Sequence, residues 1–405
     1  MANHHWITLG EESRWLDLAA LGRDAWNMWA DSELKKPAAQ RATVELGGSK
    51  INQTNWGGFK FPGRAHFNNA IFVGEAHFAE AHFFALAWFA GSTFPRSSNA
   101  TFADAVFLDR ADFKQCVFNG VNFFHNVRFE SDASFNGARF KGSVQFHDTI
   151  FAGAVDFCRA RFCDNAGFGH AVFSTDARFI NAMFCLTATF DQASGDGFVR
   201  FNGAQFAQPP DFTTSNLTHA PSFLDTVFDF YKAPDAHARY RRLKKYASDD
   251  QDHRGELNLF ALETKALRGY RLKWTRPQDW LELVLNYLYE IVSDYGRSVL
   301  RPLVAVAITF LIAVWRFALL AGQFDAPWKW KDSVWVAGFL NLIPFAGQSE
   351  IGRRVMETAI CPQVNLVSSP YCLASIYRIG AIEGVVAVIF LFLLVLGVRN
   401  LFRIK

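Results

Sequence analysis

The stretch Asp156–Phe179 reads D-F-C-R-A-R-F-C-D-N-A-G-F-G-H-A-V-F-S-T-D-A-R-F. Its aromatic positions are Phe157, Phe162, Phe168, Phe173 and Phe179, followed by Phe184, so the ring recurs in steps of five and six. A small residue stands two before most of them, as at Ala160, Ala166, Ala171, Ala177 and Ala182. An α-helix repeats at about 3.6 residues and a flat strand at about 2, and neither matches. The spacing fits a four-sided coil in which each side is one repeat. Phe and the preceding Ala point inward, and the intervening Arg, Asp, Asn, His and Ser face water. Alternating fives and sixes give about 22 residues per coil, with coils about 4.8 Å apart, the spacing of neighbouring strands.

The ladder extends both ways. It runs from Phe61 to Phe94, from Phe102 to Phe190 and from Phe201 to Phe228, with Leu217 standing in once. It consumes most of the 43 Phe in a chain with only 9 Tyr. A β-helix over residues 57–232 would hold about seven to eight coils over roughly 35 Å. Two places should bulge: the insertion after Phe94 (P-R-S-S-N-A) and the Phe-less stretch Ser194–Gly197.

With its A-x-F-x-x-A-x-F-x-x-x-A-x-F spacing, this region resembles the Phe-centred branch of the pentapeptide-repeat family. The resemblance implies a right-handed quadrilateral β-helix.

A solenoid requires capped ends. Residues 1–56 read as an N-terminal helical cap. Within it 11–34 is one helix carrying Trp15, Leu18, Ala25, Trp26 and Trp29 on a stripe that Gly22 weakens. Residues 233–298 read as a helical hairpin (236–247 and 254–268) followed by an interfacial helix over 278–295. The basic run Arg239–Lys245 reads first as a solvated helix face near an anionic membrane surface, and second as a lipid or nucleic-acid contact.

Residues 299–405 read as an α-helical membrane domain. Its spans are 303–321 and 379–398, joined by an outer loop, 322–378. The start Met-Ala-Asn-His-His has no secretory signal. Arg297 and Arg301 precede the first span, and Arg399, Arg403 and Lys405 follow the second. Both termini are therefore expected in the cytoplasm. Cys361 and Cys372, on the outer side, are expected to form a disulfide, and Cys116, Cys158, Cys163 and Cys185 to be reduced, buried thiols. Arg316 and Glu383 lie at similar depths, and either pair with each other or snorkel to the outer interface.

The loop contains an apolar segment, 332–349, that breaks at Pro344-Phe345-Ala346-Gly347. One reading is a re-entrant half-helix, and the other an amphipathic helix lying on the outer membrane surface. In the first, Asn341, Pro344, Phe345, Gly347 and Gln348 would line a pore. The layout is similar to two-helix pore-loop channels, without a Thr-Val-Gly-Tyr-Gly filter. The region after residue 236, with Y-R-R-L-K and S-D-Y-G-R-S-V-L-R-P, resembles the membrane region of bacterial pentapeptide-repeat membrane proteins. That implies a bacterial inner membrane.

No catalytic constellation is present, and no enzyme, cofactor or metal is expected. His66, His77, His82, His125, His147 and His170 fall at outward places in the ladder, and Gly47-Gly48-Ser49-Lys50 lacks the spacing of a phosphate loop. Three function classes remain. The first is a homo-oligomeric channel in a lipid bilayer that passes ions, with the β-helix serving assembly or gating. The second is a membrane-tethered scaffold whose β-helix binds a protein partner. The third is a DNA mimic that binds topoisomerase. The repeat region holds roughly equal acidic and basic residues, whereas a mimic needs a dense acidic face, and no nucleic-acid partner is expected.

Overall fold

The structure is a computed structural model. It describes residues 11–53, 55–94, 99–321, 332–343 and 370–403, together with 349, 350, 352, 354, 357, 360, 363, 364, 367 and 368. The chain forms two compact units, Met1–Tyr270 and Arg271–Lys405.

The first unit is a four-sided β-helix. Two-residue strands stack in parallel into four sheets, the longest with nine strands. Register is kept from coil to coil. On the second face Arg139 pairs with Arg161, and Arg161 with Met183. Phe157, Phe162, Phe168, Phe173, Phe179 and Phe184 are all buried. Each face carries one aromatic column. Phe157 stacks on Phe179 at 4.8 Å, Phe162 on Phe184 at 4.7 Å, and Phe168 on Phe190 at 4.8 Å. Columns of opposite faces meet edge to face, as Phe157 and Phe168 do at 83°. Burying each ring is worth roughly 1.5–3 kcal/mol, and a well-placed aromatic pair adds about 0.5–1.5 kcal/mol.

The alternation of fives and sixes is an alternation of corners. After Phe157 the chain turns tightly. Arg159 has a φ of 58°, and Ala160 N donates to Phe157 O at 3.1 Å. The next Phe follows in five residues. After Phe162 the corner is wider, no left-handed residue occurs, and the next Phe follows in six. The same left-handed position recurs at Asn69, Glu80, Gln115, Asn126, Asp148, His170, Asn181 and Gln192. Asn and Asp tolerate it better than Glu, Gln, Arg or His.

Several expectations about this unit change. The ladder opens at Val44, inside the stretch assigned to the N-terminal cap. Its first coil uses Leu46, Ile51 and Trp56 as inward residues, so a search for Phe passes over it. The stretch Ser194–Gly197 does not leave the ladder. Ser194–Gly195 pairs with Asn216–Leu217 in register. Gly195, with a φ of 129°, brings its backbone against Phe173, where a Cβ would collide with the Phe173 carbonyl. Among the described cysteines only Cys116 is fully buried. Cys158 and Cys185 are half-buried and Cys163 is exposed, because each follows an inward Phe and so faces out. The insertion after Phe94 lies mostly outside the described residues, and the ladder resumes in register at Ala100.

Both ends are capped by helices that satisfy edge groups. The segment 11–34 is two helices, α1 (Glu11–Ala20) and α2 (Arg23–Leu34), broken at Gly22 with a φ of 91°. Trp26 is fully buried over the first coil, 5.8 Å from Trp56 and 5.5 Å from Phe61. Its Nε1 donates to Lys60 O at 2.7 Å. Asn27 donates to Gly58 O and accepts from Lys60 N. An open sheet edge is thereby closed.

At the other end stand α3 (Ala236–Asp249) and α4 (His253–Arg271). Tyr246 closes the third column, its ring edge-on to Phe212 at 5.9 Å. Tyr240 Oη donates to Asp229 O at 2.9 Å, and Arg242 Nη2 to Ser215 O at 3.1 Å. The basic run is therefore internal stitching more than a free cationic face. Arg239 pairs with Asp235 at 2.7 Å, and Arg241 and Lys244 hold Glu263 at 2.8 and 2.5 Å.

Candidate membrane site

The second unit holds α5 (Trp280–Ser293), α6 (Leu300–Leu320), α7 (Asp332–Leu342) and α8 (Pro370–Arg403). In α5, Leu281, Val284, Leu285, Leu288 and Ile291 form an exposed apolar stripe at helical spacing. α5 ends in three consecutive left-handed residues, Asp294, Tyr295 and Gly296. The turn is held by burial of Tyr295, whose Oη donates to Asn286 Oδ1 at 2.8 Å. Arg297 pairs with Asp294 at 2.7 Å. Asn400 Nδ2 donates to Gly296 O at 3.1 Å, tying the root of α6 to the end of α8. Gly397 lets Ser298 approach, since a Cβ there would stand 3.0 Å from the Ser298 carbonyl.

Among the described residues, α6 and α8 contain two apolar segments long enough to cross a membrane, Leu300–Leu320 and Ala374–Asn400. Only 28% and 17% of their apolar windows are buried, so most of their apolar surface faces outward, unlike the core helix of a soluble protein. Leu303, Val304, Ile308, Leu311, Ile312 and Trp315 are exposed on α6, and Ile382, Val385, Ile389, Phe392 and Val395 on α8. Arg316 reaches Glu383 across the two helices at 3.9 Å, with the Glu383 side chain 8% exposed and Arg316 46%.

α7 joins this pair. Val334 and Ala337 are fully buried in a cluster with Ala313, Val314, Phe317 and Ala318 of α6 and Ile376 of α8. Gly338 presses against Val314, and Trp335 stands 6.1 Å from Phe310. Phe310 lies about 15 Å below the end of α6, at 1.5 Å per residue. α7 thus lies alongside one half of a spanning-length helix.

Of the pore-lining candidates, Asn341 belongs to α7. Pro344, Phe345, Gly347 and Gln348 lie outside the described residues. Cys372, in the first turn of α8, is disulfide-bonded, and Cys361 lies outside the described residues. Among the described residues no group of three His, Cys, Asp or Glu converges as a metal site. Sequence reasoning missed the Asn400–Gly296 tie and the close approaches at Gly338 and Gly397. Their one signal is a glycine flanked by bulky neighbours.

A family model for pentapeptide repeats, counted as nine copies, matches residues 102–150 and 135–183. No curated protein and no solved structure matches the chain. The helices after the β-helix lie outside the matched residues. The four-sided ladder, its stacked rings and the matched repeats identify the β-helix as a pentapeptide-repeat solenoid.

Proposed function

We propose that the protein is a homo-oligomeric membrane pore whose C-terminal unit conducts ions and whose β-helix is a soluble domain for assembly or gating. The supporting observation is the packing of α7 against Val314 and Phe310, at a depth an outer-surface helix would not reach. Two spans per chain cannot enclose a pore, so the reading requires several copies about a rotation axis. Arg297, Arg301 and Arg399 gather at one end of α6 and α8. That favours a cytoplasmic placement of both termini and an inner-membrane location. The exposed apolar stripe of α5 suits the headgroup boundary.

The test is single-channel recording from the full chain reconstituted in bilayers, with its mass measured in detergent. Conductance from an oligomer, with selectivity altered by Asn341→Ala or Gln348→Ala, supports the pore. A monomer silent across salts and voltages overturns it.

A second reading, a membrane-tethered scaffold, is favoured by one feature of the β-helix. On the third face Gly167 stands between Gln145 and Thr189 with the His147 ring lying against it, beside a groove of about 240 Å³ lined also by Ser143 and Asn165. A protein partner docking there would be lost on Gly167→Gln, with pore properties unchanged.

A further inference from the structure

Cys163 and Cys185 occupy one register position on adjacent coils. The residues before them pair directly, Arg161 with Met183 and Phe162 with Phe184. Each donates its backbone N–H to the preceding coil in the same way, Cys163 to Phe140 O and Cys185 to Phe162 O, both at 2.9 Å. Parallel neighbours stand about 4.8 Å apart. A disulfide spans Cα separations of about 4.4–6.8 Å. Both side chains face outward at the wide corner after the second face.

The two thiols also interact. Burial first, and then the Cys163 thiol beside it through charge and a hydrogen bond, push the Cys185 thiol up, while Arg161 works the other way. The remaining thiols of the β-helix have other surroundings. Cys116 is buried and donates to Phe89 O at 2.9 Å. The Cys158 thiol is pushed up to about 11 by burial and by Asp156.

Around the pair, Arg139, Lys141 and Arg161 are exposed. Arg139 and Arg161 stack on neighbouring coils, and Lys141 donates its backbone N–H to Phe118 O one position below Cys163 in the same column. Asp164 is turned into its own corner, where it accepts from Asn165 N at 2.7 Å. The local field is positive and suits an anionic reactant.

We propose that Cys163 and Cys185 are a redox-active dithiol that closes to a disulfide between adjacent coils, with a small anionic disulfide as oxidant. Cys163, the exposed member, loses its proton to solvent and attacks one sulfur of the oxidant. A mixed disulfide forms and one thiolate leaves. Cys185 loses its proton and attacks the Cys163 sulfur, expelling the second thiolate. Two electrons pass from the cysteine pair to the oxidant, and two protons end on the released thiols. Nothing in this pairing depends on the membrane unit.

The test equilibrates the full chain in detergent with reduced and oxidised glutathione at graded ratios, followed by alkylation and peptide mapping. Wild-type protein should lose alkylation at Cys163 and Cys185 together and yield one cross-linked peptide pair lighter by two hydrogens. Cys185→Ser should instead accumulate a glutathione adduct on Cys163. Cys116→Ala and Cys158→Ala should leave the cross-link unchanged. Full alkylation of both cysteines in the most oxidising buffer would overturn the proposal. So would a stable glutathione adduct on the wild-type chain in place of the cross-link.

Discussion

Arg316 of α6 and Glu383 of α8 face each other at 3.9 Å, the carboxylate almost wholly enclosed and the guanidinium half in the open. Removing the cation takes one opposite charge away from a buried carboxylate. Losing one partner of a fully buried pair costs about 3–5 kcal/mol, and the exposure of Arg316 reduces this to about 2 kcal/mol for Arg316→Ala. Arg316→Glu should be worse than Arg316→Ala, and adding Glu383→Arg to it should recover part of the loss. Thermal unfolding in detergent reads this. Additive losses in the double variant would show that the charges do not act on each other.

Arg159 sits left-handed at a tight corner where nothing about its side chain requires it. A left-handed non-glycine residue costs about 1–2 kcal/mol, and glycine brings back about 0.5–1 kcal/mol of chain entropy. Arg159→Gly should therefore stabilise by up to about 1 kcal/mol. Asn181→Gly, where the starting residue is already tolerant, should gain less. Denaturant midpoints of the two variants give the comparison.

These corners mark how far the sequence could be read. Phe157 to Phe184 gave the faces, the coil length and the inward ring, because burial imposes one residue type at fixed spacing. The same rule hid the first coil, since Leu46, Ile51 and Trp56 do the same work without being Phe. It also made Gly195 look like a break. The membrane site was legible as two apolar runs and two charges. The seating of α7 was not, because it depends on the space left by Gly338 against Val314.

Gly195 takes the place of a ring and uses it for backbone. Gly195→Ala should cost on the order of 1–3 kcal/mol, from strain at a φ of 129° and contact with the Phe173 carbonyl. Gly195→Phe, which would complete the repeat on paper, should be at least as damaging. Equilibrium unfolding of the two variants would decide. A stabilising Gly195→Phe would show that the ladder can reopen.

The N-terminal cap depends on one indole. Trp26→Ala should cost about 3–5 kcal/mol. Trp26→Phe keeps an aromatic ring but loses the bond to Lys60 O, and should cost less, about 1–3 kcal/mol. Hydrogen exchange should show the loss first at the coil around Lys60.

Glu33 anchors the same cap, accepting from Ala42 N at 2.9 Å and from Lys36 at 2.6 Å. Burial pushes its carboxyl up, but the bonds from Lys36 and Ala42 outweigh it and hold the group below its ordinary value. A depressed carboxyl contributes stability that is complete above its unfolded pKa and lost as pH falls through the folded one. The cap should therefore loosen on acidification below the ordinary glutamate range. Glu33→Gln should flatten that part of the stability profile. A profile unchanged by Glu33→Gln would assign the acid sensitivity elsewhere.

The two kinds of corner also set where this molecule can change length. A tight corner closes a backbone hydrogen bond to one Phe carbonyl and has no spare residue. A wide corner closes no such bond to its Phe carbonyl and leans on the coil beside it. The sequence carries extra residues between Phe94 and Ala100, in the place of a six-residue step, and Ala100 still pairs with Ala76 before it and Asn122 after it. Tags, reporter loops and natural insertions should accordingly be tolerated at alternate corners, on two opposite edges of the rod. Those edges are where such a protein can acquire new surface without disturbing the columns within.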